Sequence, residues 1–164
     1  MLQKKGLPSI RAVDYLELVS GLSIEESAWH FHLDDQGFGP LAVLFKQTAI
    51  EEMRHIELVA ERILFLRGDV EMVPAGPVEK ITDPQKILLK ARQMEEESAA
   101  DYNRAAIACS ENADSASKQI FESLVTDEER HFDQYDKQLD NIKRFGVNYL
   151  ALQSFGPGEG EPPA

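Results

Sequence analysis

Apolar side chains recur at three- and four-residue spacing along four stretches of the chain, the signature of helices burying one face. The clearest runs from about Pro40 to Arg67, with Leu41, Phe45, Thr48, Val59, Ile63 and Leu66 on the inward face. Pro40 suits a first helical turn and Gly68 a terminator, which predicts a helix of about 28 residues and about 42 Å. A third stretch, Pro84 to Ser110, opens on the cap-and-proline pair Asp83-Pro84 and turns Leu88, Ala91, Ser98, Tyr102, Ala106 and Cys109 inward. A fourth, Ser115 to Phe145, buries Phe121, Leu124, Tyr135, Ile142 and Phe145 and ends at Gly146. The first stretch is less regular. Pro8-Ser9 reads as a start and Leu33 as an end, but Gly21 and the capping-box look of Ser23 to Glu26 predict a kink or break between them.

The connections give the topology. Asp34 to Gly39 is a tight turn, and Glu111 to Asp114 is another. Asp69 to Thr82 is rich in Pro and Gly and lacks helical periodicity. Extended, such a segment reaches about 46 Å, one bundle length. The expectation is an all-α four-helix bundle: two antiparallel hairpins joined by a long crossover between helices two and three. A short fifth helix is expected within Asn148–Phe155. Residues 1–155 would form one domain, and 156–164, GPGEGEPPA, a disordered tail.

Composition narrows the partners. At 164 residues the chain suits a single core, and 43% hydrophobic with 28% charged residues is ordinary for a soluble protein. The net charge of −12 argues against nucleic acid and favours cations. The single Cys109 excludes an internal disulfide or a Cys-rich metal site. No apolar run is long enough to span a membrane and MLQKKGLPS lacks a signal-peptide core, so a cytoplasmic protein is expected.

Polar residues interrupt the apolar stripes in a repeated way. Glu52 and His55 share one face of the second helix, and Glu128 and His131 repeat the arrangement 76 residues later. Glu95 interrupts the third stripe. One Glu-x-x-His arises by chance on charged helices, and a single inward histidine is usually a satisfied core residue. Two such pairs with a third inward glutamate are what a carboxylate-bridged di-metal site requires. Such a site also needs a glutamate from the first helix. The 76-residue offset pairs Glu95 with Val19 and Tyr102 with Glu26. Glu26 faces inward in the undistorted register and is the expected ligand; Glu17 and Glu25 are the alternatives, and a site with five protein ligands is another.

The segment AIEEMRHIELVAERILFLRG resembles the second helix of bacterioferritins, and HLDDQGFGPLA resembles the turn before it in some members. DEERHFDQYDKQLDNIKRFGVNYLALQ resembles their fourth and fifth helices, so the likeness covers about Phe31 to Gln153. It implies an iron-storing ferroxidase that oxidises Fe(II) with O2 or peroxide at a di-iron centre of Glu52, His55, Glu95, Glu128 and His131. Ferric mineral would collect in a homo-oligomeric shell of such ferritin-like bundles, with 24 subunits favoured and 12 the alternative, and a ferredoxin-type reductant would release the iron. Met53 falls where the family places the methionine that ligates a haem b shared by two subunits. Val19 departs from the family's helix-one glutamate. That departure supports an alternative, a non-catalytic or slow haem-carrying shell subunit. A rubrerythrin-like peroxidase is weakened by the lack of any Cys-x-x-Cys, and a DNA-protecting mini-ferritin by the acidic balance.

Overall fold

The computed structural model describes residues 12–70 and 77–156, with the side chains of the first helix described from Ser23. Five helices follow in order: α1 Ala12–Asp35, α2 Gly39–Phe65, α3 Pro84–Glu111, α4 Ser115–Phe145 and α5 Val147–Leu152. No strand occurs among the described residues. α1 packs chiefly on α2 and α3 on α4, two antiparallel hairpins. Residues 69–70 and 77–83 of the crossover have neither helix nor strand. Gln36 Nε2 donates to the Thr82 carbonyl at 3.0 Å, which fixes the end of that segment beside the α1–α2 turn. Thr82 thus lies at the end of the bundle where α2 begins, opposite the end at which α2 stops.

The Pro40 and Asp83-Pro84 starts act as read, and Asp114 proves to be a further cap. The Asp83 carboxylate accepts the Lys86 backbone N–H at 2.8 Å, and Asp114 caps α4 by accepting from Ser117 N–H at 3.1 Å. Gly146 ends α4 with a positive φ (59°) as expected, but the stop of α2 works differently. At the end of α2 it is Arg67, not Gly68, that adopts the left-handed conformation (φ 69°). The Gly68 N–H reaches back to the Ile63 carbonyl at 2.9 Å and the Arg67 N–H to that of Leu64 at 3.0 Å, a Schellman closure. Gly68 is needed for space: a Cβ there would lie 2.9 Å from Ile63 Cγ2. Ala113 (φ 56°) closes α3 in the same manner.

Two expectations fail. α1 runs unbroken through Gly21. Ser23 caps nothing; its buried hydroxyl donates 3.1 Å across to the Ala49 carbonyl of α2, so an interhelical bond replaces the local one that the capping pattern suggested. Phe145, expected inside, is exposed because α4 ends there and the chain turns into α5. The Pro8-Ser9 start and the tail from residue 157 lie outside the described residues.

The core is divided. Val59, Ile63, Tyr102, Cys109, Phe121 and Leu124 form one apolar cluster; Trp29, Leu33, Leu41, Phe45, Leu88, Tyr135 and Leu139 form the other. Full burial of a large apolar side chain stabilises by about 1.5–3 kcal/mol, so these clusters hold the bundle from both ends. Between them lies a polar layer.

Candidate metal centre

Glu52, Glu95, Glu128 and His131 are fully buried in that layer, and His55 nearly so. α2 and α4 each deliver a glutamate and, one turn on, a histidine; α3 delivers Glu95. One carboxylate or imidazole atom from each of Glu52, Glu95, Glu128 and His131 lies within 4.8 Å of the others. His131 Nδ1 stands 3.2 Å from Glu128 Oε2, 3.3 Å from Glu52 Oε1 and 3.8 Å from Glu95 Oε1. His55 Nδ1 stands 3.2 Å from Glu52 Oε2 and 3.3 Å from Glu128 Oε1. The two imidazoles therefore address the same pair of carboxylates from opposite sides, their rings 6.1 Å apart and nearly parallel.

The protonation pattern follows from this crowding. Burial alone would lower both histidines, but hydrogen bonds from Glu128 and Glu52 outweigh it and raise each to about 10. Burial would raise Glu128, yet its bonds to His131 and His55 hold it at about 2. Glu95 is pushed well up, first by burial and then by the charges of Glu26, Glu128 and Glu52. The free site thus balances its carboxylates with two imidazolium ions and with protons.

A cation fits this donor set better than protons do. Both Glu95 oxygens are buried without a hydrogen-bond partner, and so is one oxygen on each of Glu26, Glu52 and Glu128. Unpartnered buried acceptors are costly, and a hard divalent ion ligated by carboxylate and imidazole would satisfy them together. Those orphaned oxygens fit the layer to a metal ion in chemistry as well as in outline.

On α1, Glu26 is 1% exposed and lies against the same layer. Burial and the Glu52 charge push its carboxyl well up, while Tyr135 donates to its Oε1 at 2.7 Å. It is not among the four residues whose ligand atoms lie within 4.8 Å of one another, but its carboxyl interacts with those of Glu95 and Glu52. Glu25 is half-buried, and the side chains of Glu17 and Val19 lie outside the described residues. Met53 points the other way. It is 53% exposed and lines an open cleft of about 190 Å³ with Ser27, His30, Phe31, Lys46, Ala49 and Ile50.

Three residues at the centre carried no functional signal in the sequence reading. Glu51 Oε2 accepts from His131 Nε2 at 2.8 Å, and Asp127 Oδ2 lies 3.4 Å from His55 Nε2. Each sits just before a glutamate of the cluster and reaches across to the histidine of the other helix. A carboxylate on the outward nitrogen fixes the tautomer that leaves Nδ1 free for a metal. Tyr135, counted as core, is the third.

A bundle of this topology with glutamates and histidines converging between two apolar clusters defines a ferritin-like protein, and the family model for the ferritin-like domain matches residues 16–145. The bacterioferritin of Rhodobacter capsulatus is 33% identical over 151 residues, covering 90% of this chain and 94% of that protein. The bacterioferritin of Brucella melitensis is 30% identical over 158 residues, 94% of this chain and 98% of the relative. The chain belongs to the ferritin-like family and, within it, to the bacterioferritins. Its fold matches the crystal structure of the Desulfovibrio desulfuricans bacterioferritin, solved with its diiron site in different catalytic states, with a TM-score of 0.85 at 26% identity over 94% of this chain and 92% of that one.

Proposed function

We propose that this chain is an iron-storage ferroxidase: it takes Fe(II) as substrate at Glu52, His55, Glu95, Glu128 and His131, passes the electrons to O2 or peroxide, and keeps the ferric product in a hollow shell of 24 copies. The single observation that carries the reading is Glu95, whose two buried oxygens have no hydrogen-bond partner while three further ligand-type residues converge on it. Glu26 is the helix-one carboxylate proposed to complete the site, supported by its burial against Glu52 and Glu95. The protein's own part is electrostatic: carboxylates balance the charge of the entering ions, both histidines offer Nδ1, and the flanking apolar clusters exclude bulk water.

The finer assignments rest on the family likeness. Met53, exposed beside an apolar cleft, is proposed as the thioether ligand of a haem b shared by two copies. A ferredoxin-type reductant, a cytoplasmic location and the absence of a nucleic-acid partner complete the proposal; the net charge of −12 supports the last. One observation favours a second reading, a slow or non-catalytic haem-bearing shell subunit: Tyr135 already donates to Glu26 Oε1, which occupies one oxygen of the helix-one carboxylate.

The test is aerobic loading of the metal-free protein with excess Fe(II), followed by particle mass and iron content after size exclusion. A large particle retaining many irons per chain supports storage. A large particle retaining almost none moves the assignment to the second reading.

A further inference from the structure

Outside the cluster, the outward nitrogens of the two histidines end in one shared device. Arg130 Nη2 donates to Glu51 Oε2 at 2.6 Å and to Asp127 Oδ1 at 3.1 Å. Glu51 is the carboxylate behind His131, and Asp127 is the one nearest the outward nitrogen of His55. All three side chains are partly exposed, so their ion pairs add little to folding stability. Their geometry does something else. Glu51 stands on α2 and Asp127 and Arg130 on α4, so one guanidinium ties together the two groups that orient imidazoles on both helices.

We propose that Arg130 is a positioning residue for the metal centre, holding Glu51 and Asp127 as a bracket that presents both histidines to the ions. The proposal rests on the metal-site reading above. It runs against simple electrostatics, because a cation beside a cation site weakens binding; deleting Arg130 on charge grounds alone would tighten it. Loss of an outer partner of a ligating histidine typically costs 10–100-fold in metal affinity, and that effect outweighs the lost repulsion across solvated groups.

The probe is Co(II), which reports coordination through its visible d–d bands and needs no turnover. Wild-type protein is expected to bind about two Co(II) per chain. Arg130→Ala is expected to bind them about tenfold more weakly, with altered d–d bands and an unchanged helical circular dichroism spectrum. Glu51→Ala should also weaken binding, and the double variant should lose less than the sum of the two single losses, because Arg130 acts on His131 only through Glu51 and keeps a separate route to His55 through Asp127. Lys137→Ala, which breaks a surface pair with Asp133 on the same helix, should match wild type. Wild-type affinity and bands in Arg130→Ala, tighter binding, or fully additive losses in the double variant would overturn the bracket. If Arg130→Ala does not fold, Arg130→Gln carries the same test with the same expected loss. Absence of Co(II) binding by the wild type would instead remove the metal-site reading on which the bracket rests.

Discussion

His131 Nε2 donates to Glu51 Oε2 across 2.8 Å, a bond from α4 to α2 that leaves Nδ1 facing Glu52, Glu95 and Glu128. His55 and Asp127 form a looser counterpart, at 3.4 Å. The layer is thus doubled, with each helix supplying a glutamate–histidine pair and a carboxylate behind the other helix's imidazole. Its behaviour toward protons, metals and substitution follows.

Protons and metal compete. His55 and His131 are raised to about 10 from 6.5, so in the metal-free protein their stabilisation is full below about pH 6.5 and is lost as pH rises through 10. Glu128, held at about 2 against 4.5, contributes above pH 4.5 and loses that contribution as pH falls toward 2. Metal needs the neutral imidazoles, so affinity should climb as pH rises toward 10 and level off above it, and binding below that pH should release protons. Calorimetric titration with Co(II) in buffers of different ionisation enthalpy measures that release; buffer-independent heats would contradict it.

Glu95 trades stability for function. Replacing its buried, unpartnered carboxyl with leucine should stabilise the metal-free bundle by about 1–3 kcal/mol. That raises Tm by several degrees at roughly 2–4 °C per kcal/mol. The same variant should lose at least one of the two metals. A lowered Tm with metal binding intact would remove Glu95 from the site.

Glu26→Ala separates the two readings of helix one. As a ligand, its loss should reduce Fe(II) stoichiometry at the centre. Unchanged stoichiometry would leave it as the hydrogen-bond partner of Tyr135 only.

Met53→Leu should abolish the spectrum of a bis-thioether haem while particle mass stays constant. An identical haem spectrum would sink the assignment. The exposure of Met53 makes the substitution cheap to fold, so a negative result is readable.

Metal should stabilise the fold it completes. At a hundredfold excess over Kd, bound ion adds about 2.7 kcal/mol, so chelation should lower Tm and stoichiometric metal restore it. A Tm indifferent to metal would place the ions elsewhere.

Much of this was legible in the chain because the helices are amphipathic and their polar interruptions fall on the buried face. Glu52, His55, Glu95, Glu128 and His131 announced themselves by breaking apolar stripes. Glu51 and Asp127 did not: they occupy partly exposed positions, where a carboxylate looks like any solvated charge. The readable trace was the repeat of an acidic residue directly before each ligand glutamate, Glu51-Glu52 and Asp127-Glu128. The end of α2 departs from the expectation for a physical reason: Arg67 takes the left-handed backbone that glycine would adopt more easily, because the closing hydrogen bonds require it one residue before Gly68. Ser23 looked like a cap because local pattern cannot reveal a carbonyl on another helix.

The most direct test of the central claim is an anaerobic Fe(II) titration of the metal-free protein, followed by admission of O2 or peroxide with absorbance recorded. The account predicts about two Fe(II) bound per chain and rapid oxidation to the ferric state. One ion or none, oxidised no faster than free Fe(II), would contradict it.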